Sequence, residues 1–239
     1  MKRIIHIAIL ILLLYIKGNS QEISAGLQSG IATYSMRDLK NINEIMIREL
    51  PFDTKTVANF PPVLYYSAVI KKQIRNVNLG IVYSFQSTGS RISGRDYSGE
   101  YRFDMIINSS APGIYDEFIL PSQGKAQFSF FSIFGVLFSK LKIDEFLTVL
   151  DNNVTDDTYR YKALNYYLEP GFSFYYPIKF LKIGINTGYL IQLRNKSFYS
   201  VENKNYMLLN PQSGDLVRPG WNGIRAGLSI IYTFPGKGQ

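Results

Sequence analysis

Apolar and polar residues alternate with a period of two along several stretches of this chain. In LKIGINTGYLIQLR, residues 181–194, the odd-numbered positions are mainly aliphatic or aromatic, and most even-numbered positions are Lys, Gly, Asn, Gln or Arg. The last stretch, GIRAGLSIIYTF at 223–234, alternates in the same way and ends on an aromatic residue, Phe234. A period of two over ten or more residues predicts β-strands with one apolar face.

This pattern predicts an all-β domain over residues 21–239 with ten antiparallel strands. The predicted strands are 24–36, 63–74, 79–89, 99–108, 113–120, 126–140, 142–150, 164–177, 181–194 and 223–234. Eight strands is the fallback if the weaker stretches 113–120 and 142–150 fail. Pairing Arg75 with Asn78, and Tyr176 with Lys179, closes two hairpins in which apolar side chains meet apolar ones.

The links between predicted strands fall into two classes. Those after even strands are short, at 75–78, 109–112, 140–141 and 177–178, whereas those after odd strands include 37–60, 151–162 and 195–220. Short turns at one pole and long loops at the other are typical of an up-and-down transmembrane β-barrel with both termini in the periplasm.

The first long loop contains one predicted helix. Its apolar stripe consists of Leu39, Ile42, Ile45, Met46 and Leu50, and Pro51 follows directly. The helix could plug the barrel, lie on the lipid or form a lid. We favour a helix packed on the barrel rim, because an amphipathic stripe indicates burial without naming the partner.

The first twenty residues resemble a cleaved secretory signal. Lys2 and Arg3 precede an apolar run from Ile4 to Ile16, and Gly18 and Ser20 supply small residues for cleavage. Thirteen apolar residues fall short of the roughly 20 that a membrane helix needs. The signal carries three of the 26 Lys and Arg residues and no acid, so the remainder is mildly basic at +5. These cations are scattered, which argues against nucleic acid as a partner.

Histidine and cysteine are missing from the expected mature chain. His6 is the only histidine and lies in the signal, and the chain has no cysteine. Nucleophile systems based on Ser-His-Asp or Cys-His, and nearly all zinc sites, need one of these residues. We therefore expect no enzyme, no catalytic residue, no cofactor and no bound metal.

The composition of the polar face indicates that this face lines a narrow lumen and is not exposed to bulk water. It is rich in Gly, Ser, Asn and Gln, whereas a face exposed to water favours Lys, Glu and Thr. Its charged residues are predicted to form a network inside the barrel. They are Glu100, Arg102, Asp104, Glu169, Lys182, Arg194 and Arg225. Trp221, Tyr232 and Phe234 are predicted to be aromatic residues at the membrane interfaces.

Several of these features together resemble a known family. The signal, the opening GLQSGIATYSMRDLK, the segment FQSTGSRISGRDYSGEYRFD and the aromatic-terminated last strand are similar to small Gram-negative outer-membrane β-barrel proteins of the porin-like group. The last strand resembles their barrel-assembly signal, although Pro235 to Gln239 follow Phe234 here. The resemblance implies an outer-membrane location and, as partners, membrane lipid, lipopolysaccharide and the barrel-assembly machinery.

The sequence leaves the activity open between several functions. A non-enzymatic outer-membrane barrel can be structural, can bind ligands at the surface or can form a narrow passive pore. The alternative is a secreted soluble β-barrel that binds a hydrophobic ligand inside. The two readings differ in where the apolar face points, since it faces lipid in the first and the interior in the second.

Overall fold

The computed structural model describes residues 22–49, 55–97, 99–122, 124–149, 152–193 and 196–234. The predicted signal at 1–20 and the tail at 235–239 lie outside these residues. The described residues form one helix and ten strands, in this order: β1 Ile23–Ala32, α1 Arg37–Glu49, β2 Lys55–Asn59, β3 Val63–Ile74, β4 Val77–Asp96, β5 Gly99–Ile119, β6 Gln127–Val149, β7 Asn152–Ile178, β8 Leu181–Gln192, β9 Tyr199–Ser200 and β10 Gly223–Phe234.

All ten strands belong to one antiparallel sheet, and eight of them close it into a ring. The ring runs β1-β3-β4-β5-β6-β7-β8-β10 and is completed by pairing of β10 with β1. The short strands β2 and β9 add to β4 and β7 outside the ring. The predicted fold, an up-and-down antiparallel β-barrel with a short helix in its first long loop, is confirmed.

Two-residue turns join β3 to β4 and β7 to β8, but their registers differ from the predicted ones. Ile74 pairs with Val77 and Ile178 pairs with Leu181, so the turns are 75–76 and 179–180. The predicted hairpins were therefore shifted, by two and four residues respectively. An even shift keeps every side chain on its face, so the apolar pattern could not discriminate between these registers.

Four neighbouring strands are about twice as long as the other four strands of the ring. β4 to β7 have 20 to 27 residues, whereas β1, β3, β8 and β10 have 10 to 12. Pairing of β3 with β4 stops at Gln86, and pairing of β7 with β8 stops at Tyr167. Past the level of Gln86, which in register is also that of Ser109, Ser139 and Ala163, β4 to β7 continue as a sheet that we call the extension, which runs about 30 Å along the strands.

The extension overturns three predicted links. The predicted turns 109–112 and 140–141 lie inside the continuous strands β5 and β6. The predicted loop 151–162 is, from Asn152 onward, the beginning of β7. We call the pole with the long links the loop pole and the pole with the short turns the turn pole. The loop pole carries the β4–β5 and β6–β7 hairpins and the segments 33–62 and 193–222. The turn pole carries the first residue of β1 and the last residue of β10.

The polarity of the two sheet faces reverses along each long strand, and this reversal explains the wrong turns. In the ring part of β5, Ile114 and Phe118 point outward and Glu117 points inward; in its extension, Arg102 is exposed and Met105 is buried. Side-chain direction keeps its period of two throughout, so only the residue types change faces. Where the apolar residues change between odd and even positions, the sequence looks like the end of one strand and the start of another.

The inward apolar residues of the extension form a hydrophobic cluster with α1 and the long loops. We call this cluster the cap. It contains Leu39, Ile42, Phe60, Ile92, Met105, Ile107, Leu141, Phe198, Val217 and Trp221. The helix packs against β2 and β4, and the Asp38 carboxylate accepts a hydrogen bond from the Arg218 backbone N–H at 3.0 Å. The helix is thus a rim helix that closes one side of the cap.

Candidate functional site

The lumen of the ring holds a buried ion pair near the cap. Arg225 on β10 donates to Glu169 on β7 across 2.7 Å, and both side chains are almost fully buried. Its other nitrogens donate to the hydroxyl of Tyr34, at 3.1 Å, and to the Gln86 side-chain oxygen. The guanidinium also lies over the ring of Tyr65, at 5.2 Å. Four strands and the segment after β1 are tied together by this one side chain.

A second buried ion pair occupies the lumen nearer the turn pole. Lys71 on β3 lies 2.5 Å from Glu117 on β5. The Glu117 carboxylate also accepts hydrogen bonds from Asn78 at 2.7 Å and Ser129 at 2.6 Å. Buried charges are stable when they are paired and when their remaining lone pairs are hydrogen-bonded, and both conditions hold here.

Aromatic rings fill much of the remaining lumen. A Cβ atom added to Gly171 would lie 2.3 Å from the Phe131 ring, and one added to Gly184 would lie 2.3 Å from the Tyr175 ring. These glycines are required because the rings occupy the space that a side chain would need. A barrel of eight strands is just wide enough to be filled by its own side chains.

Trp221 closes the lumen at the loop pole. Its side chain is 0% exposed, its Nε1 donates to the Ser139 hydroxyl at 2.9 Å, and its ring meets Tyr34 edge-on at 4.8 Å. The prediction that Trp221 is an interfacial anchor is therefore wrong. The residue precedes β10 on the side that faces the cap, where an apolar ring with one hydrogen-bonded nitrogen is well accommodated.

The predicted lumen charges divide between two places. Glu169 and Arg225 lie in the lumen as described, and Lys182 lies at its turn-pole end, where its ammonium donates to Gln127 at 3.3 Å. Arg194 lies outside the described residues. Glu100, Arg102 and Asp104 are in the extension rather than the lumen: they belong to the even-numbered, outward-facing set of β5. That part of the prediction was wrong because the faces reverse beyond the ring.

The outward face of the extension carries exposed and half-buried ion pairs. Asp104 accepts two hydrogen bonds from Arg91, at 2.6 and 2.8 Å, and Arg102 lies 3.7 Å from it. Burial raises the pKa of Asp144, but hydrogen bonds from Lys142 and Thr158 outweigh that effect and hold this pKa below its ordinary value. This face is therefore charged and held in shape by cross-strand contacts.

The outward face of the ring is mostly apolar, with Asp116 as an exposed charged residue on it. In β10, Ile224, Leu228, Ile230, Tyr232 and Phe234 are exposed, whereas Arg225 and Ser229 are buried. The rings of Tyr232 and Phe234 meet edge-on at 5.0 Å at the turn pole. Further exposed aromatics are Tyr66, Tyr83, Phe85, Phe128, Phe130, Phe134, Phe138, Tyr166, Phe172, Phe174, Tyr176 and Tyr189. A continuous apolar surface of this kind suits lipid on all sides.

Sequence reasoning missed the Lys71–Glu117 pair and Gln86. The alternation could have found them, since Lys71 shares a face with Ser67, and Glu117 lies between the outward-facing Asp116 and Phe118. Among the described residues there is no group of three or more carboxylates, histidines or cysteines that could hold a metal ion. No helix in the described part of the chain is long and apolar enough to cross a membrane.

Comparison with known proteins gives the class of fold. No model of a protein family matches the chain, and no curated protein matches it. Among solved structures, a major outer membrane protein from Thermus thermophilus aligns with a TM-score of 0.50 at 12% identity over 90% of this chain and 100% of that one.

Two further structures align less closely. They are Neisserial surface protein A, with a TM-score of 0.39 at 8% identity, and Ail, the attachment invasion locus protein of Yersinia pestis, solved with the heparin analogue sucrose octasulfate, with a TM-score of 0.42 at 11% identity. Each covers 90% of this chain and nearly all of its own. At these identities the likeness concerns the fold alone. The chain has an outer-membrane β-barrel fold.

Proposed function

We propose that this protein is a sealed outer-membrane β-barrel that works through the surface it presents outside the membrane rather than as a pore. The observation that carries this proposal is the filled lumen. Two buried ion pairs, Arg225 with Glu169 and Lys71 with Glu117, cross the interior at different levels, and the cap closes the loop pole. A passive pore would need a continuous polar channel between these levels.

The faces of the ring argue against the alternative of a soluble barrel with a hydrophobic ligand inside. The lumen contains charged and hydroxylated side chains packed among its aromatic rings, and the large apolar residues that are exposed on the ring point outward. A hydrophobic ligand would leave the buried charges without compensation, which is costly. Without His or Cys in the expected mature chain we also propose no enzymatic role.

We infer the orientation from the lengths of the links at the two poles. Long loops and the extension at one pole, and short links at the other, match barrels whose termini lie in the periplasm of a Gram-negative bacterium. We place the extension at the cell surface, with lipopolysaccharide around the ring and the last strand as the segment read by the barrel-assembly machinery. The charged outer face of the extension is then the surface available for binding.

Conductance in planar lipid bilayers tests whether the lumen is sealed. We expect the purified, folded protein to give no unitary conductance steps, because ions would have to pass both buried ion pairs and the cap. An open porin in the same bilayer provides the control for sensitivity. Steps that recur in independent preparations of the wild-type protein would show a pore and overturn the sealed barrel.

A further inference from the structure

Four cations lie together on the outward face of β6 and β7, directly beyond the apolar surface of the ring. They are Lys140, Lys142, Arg160 and Lys162, and we call them the basic quartet. Lys140 pairs with Lys162, and Lys142 pairs with Arg160, in the register of the two strands. All four side chains are exposed. Directly opposed side chains have Cβ atoms about 5 Å apart, so four positive charges share a small area.

This arrangement costs stability unless an anion is bound there. Like charges directly opposite each other in a sheet are destabilising. Lys142 is 2.7 Å from Asp144, but among the described residues Lys140, Arg160 and Lys162 have no ion-pair partner. The neighbouring strand β5 places Asn108 and Ile106 opposite Lys140 and Lys142, so it supplies no acid at this level.

The level of the quartet identifies the kind of anion. The next outward pair toward the ring is Phe138 with Leu164, and Phe134 stacks on Tyr166 below that at 6.4 Å between ring centroids. Lys140 and Lys162 are thus the first outward residues after the faces reverse. In a membrane-spanning barrel this is the level of the lipid headgroups, where cations bind lipid phosphate and the apolar residues contact acyl chains.

We propose that the basic quartet binds the phosphate groups of a phosphorylated glycolipid in the outer leaflet, that is, of lipopolysaccharide. The cations hold the phosphates, and Phe138, Leu164 and the stacked Phe134–Tyr166 pair receive the acyl chains. The inference rests on the proposed orientation with the extension at the cell surface. A sealed lumen is not needed for it, so conductance and lipid binding can fail independently.

Binding of lipopolysaccharide to the full chain in zwitterionic lipid nanodiscs tests this proposal. The K140Q/K162Q double variant is expected to bind about thirty-fold more weakly, given the usual contribution of each cation near an anionic surface. This variant is folded if its electrophoretic mobility differs between unboiled and boiled samples as that of the wild type does. The charge-preserving variant K140R/K162R should bind like the wild type.

Two controls separate the quartet from general charge. K55Q/K204Q removes two exposed cations at the same pole and should leave binding unchanged. Dephosphorylated lipopolysaccharide should bind weakly, and equally, to the wild type and to K140Q/K162Q. The proposal is overturned if K140Q/K162Q binds lipopolysaccharide like the wild type, if K55Q/K204Q loses as much affinity, or if excess inorganic phosphate displaces the glycolipid completely.

Discussion

Replacing Glu169 with alanine is expected to lower the free energy of unfolding by about 3 to 5 kcal/mol, the usual loss when one partner of a buried ion pair is removed. The variant leaves the Arg225 guanidinium in the lumen without its carboxylate, and Arg225 is 1% exposed. Tyr34 and Gln86 can still accept hydrogen bonds but carry no charge. Urea unfolding in lipid vesicles measures this loss. The folded fraction at each urea concentration is read from the difference in electrophoretic mobility between unboiled and boiled samples.

A double replacement separates the cost of an unpaired charge from lost packing. Changing Glu169 to leucine and Arg225 to methionine together removes both charges and keeps side-chain volume, so stability should return to near the wild-type value. If Glu169→Ala costs less than about 1 kcal/mol, as exposed ion pairs do, water reaches Arg225 and the lumen is open.

Leu228→Lys is expected to cost about 2 to 4 kcal/mol, the range for a lysine on the lipid face near the bilayer midplane. Leu228 lies near the middle of β10 and is 64% exposed on the outward face. On a surface exposed to water, replacing a leucine with lysine usually changes the free energy of unfolding by no more than about 0.5 kcal/mol. The same unfolding measurement in vesicles reports the difference.

Depth in the membrane provides the matched control for Leu228. Ile178 is also exposed and outward-facing, but it is the last residue of β7 before the turn at 179–180. Ile178→Lys should cost only about 0 to 1 kcal/mol, because a lysine near the interface can reach the headgroups. Equal and small costs at both positions would mean that the apolar surface does not face lipid.

Alternation along the strands was sufficient to predict the barrel and the faces of its ring. Ile224, Leu228 and Ile230 point outward, and Arg225 and Ser229 point inward, because the period of two leaves no other choice once one face is known. Register was less well determined. The turns begin at Arg75 and Lys179, which both have positive φ angles, and nothing in the sequence singles out these residues for such a conformation.

The extension could not be predicted with a single rule for apolar residues. Within the membrane they face outward toward lipid, and beyond it they face inward toward the cap, so a single rule gives Tyr101, Phe103 and Met105 the wrong environment. The same error placed Arg102 and Asp104 in the lumen. A phase reversal at Ser139 and Lys140 marks the membrane boundary in β6, and it is visible in the sequence once it is distinguished from a turn.

The candidate sites depend on contacts between residues distant in the chain. Arg225 meets Gln86 across the lumen, and Trp221 meets Ser139, although 139 and 82 positions separate them. Such pairs follow from ring closure and stagger, which alternation does not specify. The basic quartet is different, because Lys140 and Lys162 face each other by register alone once β6 and β7 are known to be continuous.

Labelling of single cysteines on intact Gram-negative cells tests the membrane-spanning barrel and its orientation most directly. The chain has no cysteine, so Tyr97→Cys and Ser122→Cys each introduce one thiol. Tyr97 is 98% exposed at the tip of the β4–β5 hairpin, and Ser122 is exposed in the link between β5 and β6 at the turn pole. We predict that a maleimide too large to cross the outer membrane labels Tyr97→Cys on intact cells and labels Ser122→Cys only after the outer membrane is permeabilised. Equal labelling of both variants on intact cells, or labelling of Ser122→Cys alone, would contradict the account.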